Sequence, residues 1–154
     1  MNLNQFETLL VDKDQNVTTI TLNRPDKKNA INDKMIKELG FIFDNLLTED
    51  ETKIVILTGK GNAFCSGADL SYLDKLKNYS YDQNLQDSNA FAELFLKIYE
   101  FPKPTIAKVQ GAALAGGCGL SSVCDFIISD ENARFGYPEV KIGFIAAIVS
   151  VFIP

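Results

Sequence analysis

Two short segments of this sequence combine residue types that could do chemistry beside a carbonyl group. Gln110–Gly119 is rich in Gly and Ala, so a ligand can come close to its backbone and meet N–H groups that are free to donate. Phe135–Glu139 delivers one carboxylate directly after a proline, among apolar residues. Backbone amides can hold a developing enolate oxygen while an acid moves a proton on or off carbon. The combination indicates an enzyme.

The sequence contains no histidine, which excludes Ser–His and Cys–His nucleophile systems and any His-ligated catalytic zinc. The three cysteines, Cys65, Cys118 and Cys124, form no Cys-x-x-Cys pair. They are predicted to be free, reduced packing residues of a cytosolic protein, and no metal site is expected. Proton transfer near neutral pH must then fall to a carboxylate, a lysine, a tyrosine or a thiol in a modified environment.

Length and charge fit an ordinary globular enzyme. The 154 residues, 46% hydrophobic and 23% charged, predict one domain over residues 1–154. A net charge of −5 without a basic stripe argues against a nucleic-acid partner. The start of the chain has no basic segment before an apolar run, so no signal peptide is expected. The apolar stretch 142–154 is too short to span a membrane. We expect a cytoplasmic protein with no membrane partner.

The hydrophobic pattern alternates between strand and helix periods after an initial hairpin. This alternation predicts an α/β fold, whose ligands bind at the carboxyl ends of the strands. The predicted strands are 6–11, 16–22, 53–57, 105–109 and 125–128. One predicted helix begins after Asn32, and three more cover about 69–77, 83–100 and 116–123.

The Gly-rich segment by itself has an ordinary explanation, since a pair of glycines more often marks close packing of a helix on a strand. It does not match a dinucleotide fingerprint or a phosphate-binding loop, because Gly-x-Gly-x-x-Gly with a later ribose acid and Gly-Lys-Ser/Thr are both absent.

Four segments taken together are more specific. These are Asn23–Asn32, Ala63–Leu70, Ala112–Leu120 with Cys124-Asp125, and Phe135–Gly143, and they resemble the motifs of the crotonase superfamily, the enoyl-CoA hydratases and isomerases, in the same order and at similar spacings. The resemblance implies a ββα-repeat spiral core and an acyl-CoA substrate, with coenzyme A as part of the substrate and no separate cofactor. It also implies a homotrimer or a dimer of trimers.

The resemblance assigns roles residue by residue. Ala68 and Gly116 match the residues whose N–H groups form the family's oxyanion hole, and neither has a side chain large enough to block a thioester oxygen. Glu139 matches the glutamate that exchanges a proton with substrate carbon. The alternative interpretations are that Ala68 and Gly116 are only packing positions and that Glu139 is a solvated surface residue after a proline turn.

A further set of residues is expected to contact the acyl-CoA. Arg24, with Lys27 and Lys28, could meet phosphates, or could belong to a solvated turn after Pro25. Asp69 is better suited to capping the next helix. The full set is Arg24, Lys28, Ala30, Ala63, Ser66, Gly67, Asp69, Leu70, Leu114, Gly117, Gly119 and Pro138.

One position departs from the family. Where many hydratases carry a first glutamate, this chain has Gly119, so Glu139 would have to handle both protons of a hydration. An isomerase needs only one such acid, and a non-catalytic acyl-CoA-binding protein needs none. The tail Ile142–Ser150 is more similar to a branch that keeps one glutamate and includes methylglutaconyl-CoA hydratase-like proteins, which favours hydration.

The end of the chain is the second departure. Family members continue beyond the position of Pro154 into helices that complete the pocket and the trimer contact, so a C-terminal helical region is expected to be missing here. The apolar run Phe144–Pro154 is expected to be buried against other subunits.

Overall fold

Two runs of β-branched and apolar residues form an antiparallel hairpin at the start of the fold. The computed structural model describes residues 6–143 and 145–152, apart from the side chain of Ile142. The first strand, Leu9–Asp14, is displaced from the predicted 6–11 and continues through three polar residues, and Gln15 and Asn16 make the turn. Gln15 has a φ of 51°, which is suited to a tight two-residue hairpin.

The described residues contain eight strands and five α-helices. The strands are β1 (Leu9–Asp14), β2 (Val17–Leu22), β3 (Ile54–Gly59), β4 (Ala63–Cys65), β5 (Thr105–Val109), β6 (Ala112–Leu114), β7 (Phe126–Ser129) and β8 (Arg134–Gly136). The helices are α1 (Asp33–Thr48), α2 (Leu70–Leu76), α3 (Tyr81–Tyr99), α4 (Gly116–Ser122) and α5 (Ala147–Ser150), with 3₁₀ turns at Pro25–Lys27 and Pro138–Ile142.

The larger sheet has the order β1-β2-β3-β5-β7, and every pair after the hairpin is parallel. In β2 and β3, residues alternate between fully and partly buried, as expected for strands packed on one face. Parallel pairing brings the carboxyl ends of β3, β5 and β7 to one edge, which confirms the predicted α/β class.

A second, three-stranded parallel sheet, β4-β6-β8, was not predicted from the hydrophobic pattern. Each of its strands follows a strand of the larger sheet after a few residues: β4 follows β3, β6 follows β5, and β8 follows β7. They are three residues long, which is too short to show a detectable period. The order strand, strand, helix is the ββα repeat that the resemblance implied.

The two long helices begin at capped positions. Asn32 accepts a hydrogen bond from the Met35 N–H (2.9 Å), as predicted, and Ser80 forms a capping box with Gln83 at the start of α3. The two helices pack against each other, and their buried apolar residues share one core with those of the larger sheet. Its largest fully buried side chains include Phe43, Phe64 and Phe95.

The edge strand β7 has an uncovered apolar surface. Phe126, Ile127 and Ile128 are 60%, 45% and 60% exposed. In the apolar run 144–154, Phe144, Ile153 and Pro154 lie outside the described residues, whereas Ile145 and Val151 are exposed and Val149 is buried. In the part of the chain that is described, no helix is both long and apolar enough to cross a membrane.

Candidate active site

The loop after β2 and the loop after β4 are joined by backbone hydrogen bonds. The Ser66 N–H donates to the Lys28 carbonyl (3.0 Å), the Ile31 N–H to the Gly67 carbonyl (2.7 Å), and the Asp69 N–H to the Ile31 carbonyl (2.8 Å). The last two bonds pair Ile31 with Ala68 as in a parallel sheet. Two of the four motif segments therefore form one rigid unit around Ala68.

The start of α4 lies directly against this unit. Gly67 has a φ of +93°, and a β-carbon at that position would stand 2.6 Å from the Ala115 β-carbon and 3.3 Å from the Gly116 nitrogen. Only glycine permits both this backbone conformation and this close approach. The contact brings the Gly67-Ala68 peptide and the Ala115-Gly116 peptide side by side.

Ala68 and Gly116 are both half-buried, and their amides are free of protein acceptors. Within residues 6–143 and 145–152, no hydrogen bond has either N–H as its donor. Gly116 is the first residue of α4, where an N–H has no partner inside the helix. Two neighbouring free donors can bind one oxygen atom with developing negative charge.

Ala115 was missed by the sequence reasoning, although it shapes the site. Its φ of 53° and ψ of −129° are rare for a residue with a β-carbon, and backbone strain of this kind costs about 1–3 kcal/mol. Its N–H donates to the Gly136 carbonyl (2.8 Å), which ties the turn to the segment that carries Glu139. The strained turn sets the direction of the Gly116 N–H.

The other two glycines of α4 meet protein, not open space. A β-carbon on Gly117 would collide with the Cys65 carbonyl group, so this glycine lets α4 pack onto β4. A β-carbon on Gly119 would collide with Val149 and stand 2.8 Å from Phe95 Cε2. Both glycines are buried, so the structure gives them a packing position where contact with the acyl-CoA was expected.

Glu139 is the second residue of the 3₁₀ turn Pro138–Ile142, directly after the exposed Pro138. Its Oε2 atom is buried and has no hydrogen-bond partner among the described residues. The apolar residues near it in the chain do not enclose it, because Phe135 is 45% and Val140 70% exposed; the side chain of Ile142 lies outside the described set. An unpaired buried carboxylate oxygen is available for a substrate or water.

The Tyr137 hydroxyl is the second buried polar group without a hydrogen-bond partner in the described chain. Burial, with a smaller contribution from the nearby Cys118 and Glu139, raises the pKa of Tyr137 to about 12, and Ser122 opposes the shift. The hydroxyl therefore stays neutral and can donate a hydrogen bond. Its neighbours Cys118 and Ser122 lie on α4, so Tyr137 connects this helix to the segment that carries Glu139.

Asp69 caps α2, as predicted: its carboxylate accepts from the Ser71 N–H (2.9 Å) and hydroxyl (2.6 Å). The same carboxylate pairs with the Arg24 guanidinium, with 2.6 Å between Nη2 and Oδ2. The Ser71 hydroxyl and the Arg24 guanidinium hold the pKa of Asp69 down, at about 2, against the opposing effect of burial. Arg24 is thus committed to protein partners, neither in a solvated turn nor free for phosphate.

Two polar side chains that the sequence reasoning missed, Asn29 and Gln110, stabilise the loops by donating hydrogen bonds to backbone carbonyls. Asn29 is fully buried and donates to the Ala63 carbonyl (2.8 Å) and the Lys60 carbonyl (3.0 Å). Gln110 donates to the carbonyls of Gly59 and Ala63. Ala63 is buried, and its carbonyl accepts hydrogen bonds from both side chains, so it has a structural role. Asn29 also has a φ of 55°, a conformation in which asparagine is enriched, and that preference was the available signal.

The remaining predicted contact residues lie around the joined loops. Lys28 is exposed, Ser66 and Leu114 are partly buried, and Leu70 is 79% exposed at the start of α2. Ala30 is buried, and its carbonyl accepts from the Arg24 guanidinium. Lys28, Ser66, Leu70 and Leu114 are therefore the members of this group that a ligand could reach.

The thiols are free and poorly suited to nucleophilic chemistry. Burial raises the pKa of both Cys65 and Cys124 to about 12, far above the range in which a thiolate forms near neutral pH. Cys118 is buried in α4. The described residues contain no cluster of three or more carboxylate and thiol groups that could hold a metal ion.

Comparison with known proteins gives the same fold and a family. The sequence matches the family described as enoyl-CoA hydratase/isomerase over residues 12–154. A relative from Thermus thermophilus is 42% identical over 137 residues, which cover 89% of this chain and 54% of the relative. The short-chain-enoyl-CoA hydratase of Clostridium acetobutylicum is 35% identical over 144 residues, which cover 90% of this chain and 52% of that protein.

A crystal structure of an enoyl-CoA hydratase from Shewanella pealeana superposes with a TM-score of 0.93 at 36% identity, covering 97% of this chain and 57% of that one. The predicted fold is thereby confirmed. The chain spans about half the length of the curated relatives it matches.

Proposed function

Since this chain belongs to the enoyl-CoA hydratase/isomerase family, the crotonase superfamily, we propose that its site adds water across the 2,3 double bond of an enoyl-CoA thioester. One observation carries the proposal: the free N–H groups of Ala68 and Gly116 are brought together by the contact of Gly67 with Ala115. A pair of unpartnered amides is suited to the negative charge that forms on a thioester oxygen.

The chemistry follows from these groups. Water attacks C3 of the enoyl-CoA, the electron pair of the double bond moves toward the thioester carbonyl, and the Ala68 and Gly116 N–H groups stabilise the enolate oxygen. Glu139 takes a proton from the water, and the same carboxyl group returns one to C2. The product gains one hydroxyl group at C3 and one hydrogen at C2, so no oxidant, reductant or separate cofactor is required.

Double-bond isomerisation is the second candidate, and the environment of Gly119 favours it. The position of a second glutamate is closed by Val149 and Phe95, so one carboxylate must serve both protons of a hydration. Isomerisation needs only that one carboxylate, which would move a proton between C2 and C4. The hydratase relative named above favours hydration. A third possibility is a protein that binds acyl-CoA without turnover.

The test compares wild type with Glu139→Gln, using crotonyl-CoA, methylglutaconyl-CoA and a 3-enoyl-CoA in deuterated water. Loss of the acid is expected to lower the hydration rate by about 10²–10⁴-fold with little change in affinity, because the proton moves only in the transition state. Solvent deuterium should appear at C2 of the 3-hydroxyacyl product. The matched control is Glu131→Gln, a change of an exposed glutamate in the turn before β8.

The three outcomes separate the candidates. Conversion of the 3-enoyl-CoA to a 2-enoyl-CoA without any hydroxyacyl product would establish isomerisation instead. Binding without either reaction would leave the acyl-CoA-binding protein. Wild-type rates in Glu139→Gln would show that another group moves the proton.

Substrate contacts, assembly and location extend the proposal. The exposed Lys27 and Lys28 are the cations of the first loop that could meet the phosphates of coenzyme A. A trimer, or a pair of trimers, would cover the exposed apolar residues of β7. Sedimentation of the protein should then give a multiple of three. The free thiols support a reducing, cytoplasmic location, which cell fractionation would test.

A further inference from the structure

We propose that Arg24 is a positioning residue, which orients the Ala68 N–H toward the thioester oxygen, and not a ligand of the coenzyme A phosphates. The inference rests on the proposed function, because it concerns the same oxyanion site.

First, the Arg24 side chain is engaged with protein partners. Nη2 lies 2.6 Å from Asp69 Oδ2, and Nη1 donates to the Ala30 carbonyl. The Arg24 and Asp69 side chains are only 18% and 6% exposed. A guanidinium whose charge is balanced and whose terminal nitrogens are already used has little left to offer a phosphate.

The second step connects Arg24 to Ala68. Asp69, one partner of Arg24, is the next residue after Ala68, and its N–H donates to Ile31. Ala30, the other partner, precedes Ile31, which donates to the Gly67 carbonyl on the other side of Ala68. The ion pair and these backbone hydrogen bonds therefore link the two loops on both sides of Ala68.

The third step is the consequence for catalysis. Without the guanidinium, the loops would lose the ion pair that links them, and a nearly buried Asp69 carboxylate would lose its countercharge. The loop would shift to hydrate that carboxylate, and the Ala68 N–H would turn with it. A displacement near 1 Å can cost up to about 10²-fold in rate. The cost should appear in kcat, while coenzyme A affinity, measured without the carbonyl, stays constant.

The experiment uses two ligands that differ at the thioester oxygen. Acetoacetyl-CoA ionises to an enolate that absorbs in the near ultraviolet and needs the oxyanion site, whereas the thioether S-butyl-CoA has no thioester carbonyl oxygen. Both affinities are measured by calorimetry, with the enolate absorbance alongside, for wild type and Arg24→Met. Arg24→Met should weaken acetoacetyl-CoA binding and the enolate signal about tenfold or more, and S-butyl-CoA binding less than twofold.

Two further variants protect the test from misfolding. Asp69→Asn keeps a side-chain oxygen to cap α2 but removes the charge that Arg24 pairs with, so it should reproduce the selective loss. Arg24→Lys keeps a cation beside Asp69 and should recover part of the enolate binding. The control is Lys37→Ala, which removes an exposed ion pair with Asp33 on α1 and should change neither affinity.

Each remaining outcome counts against the inference. Equal weakening of both ligands in Arg24→Met would mean that Arg24 binds the coenzyme A phosphates after all. No change in either ligand, in a folded variant, would show that Ala68 is held without Arg24. If wild type itself showed no preference for acetoacetyl-CoA over S-butyl-CoA, the oxyanion site and the proposed function would fail, and this inference with them.

Discussion

A β-carbon on Gly67 would stand 2.6 Å from the β-carbon of Ala115, so these two residues can be neighbours only because one of them is glycine. Ala115 itself has a positive φ, and its turn leads into the first N–H of α4. The contact lies beside the Ala68 and Gly116 amides, which are free of protein acceptors in the part of the chain that the structure describes. The geometry of the candidate oxyanion site therefore depends on this pair of residues.

Gly67→Ala should destabilise the protein by a few kcal/mol, since it adds a collision and places a β-carbon at a φ of +93°; overpacking alone costs about 1–3 kcal/mol. Ala115→Gly should raise stability by about 1 kcal/mol through relief of backbone strain. The double variant should recover part of the loss. Urea unfolding of all four proteins in a double-mutant cycle measures this coupling, and strict additivity would show that the two residues do not interact.

Gly116→Pro should remove one oxyanion donor while leaving α4 folded. Gly116 is the first residue of the helix, where proline is tolerated because that N–H has no helical partner. We expect the hydration rate to fall by about 10²–10³-fold. Gly116→Ala is the control, because it keeps the N–H and adds a β-carbon 3.3 Å from Phe91, which should cost much less. Equal losses in both variants would point to packing at this position.

Gly119→Glu should not create a second catalytic acid. Its side chain would enter the space occupied by Val149 and Phe95, and the charge would be buried without a partner. Substitutions that bury an unpaired charge belong to the most destabilising class, above about 3 kcal/mol. Denaturant midpoints measured beside Gly119→Ala separate the effect of volume from that of charge. A stable variant with faster hydration would mean that the position is open to the substrate.

The Asp69 carboxylate should make stability depend on pH in a narrow acidic range. Its pKa is about 2 in the folded protein, below the value of about 3.9 in an unfolded chain. A depressed pKa stabilises the folded state above the unfolded value, and this contribution is lost as the pH falls from about 4 to about 2. Thermal unfolding of wild type and Asp69→Asn should therefore converge over this range. A difference that stays constant with pH would contradict the assignment.

The hydrophobic pattern was sufficient to predict the elements that are long enough to show a periodicity. It predicted the larger sheet and the long helices, and Asn32 and Asp69 were identified as caps because their side chains act on residues two or three positions away. It did not detect β4, β6 and β8, since a strand of three residues has no measurable alternation. It also misplaced β1, where cross-strand pairing extends through Asp12 and Lys13.

The sequence by itself determined the kind of chemistry that is possible: no histidine, a carboxylate after a proline among apolar residues, and small residues at two loops. Only the tertiary structure decided which of these groups are available. Arg24 looks like a free cation along the chain, yet it lies against Asp69, and Gly119 looks like open space, yet Val149 and Phe95 fill it. Charge and residue size are local properties, whereas access and pairing depend on residues far away in the chain, which only folding brings into contact.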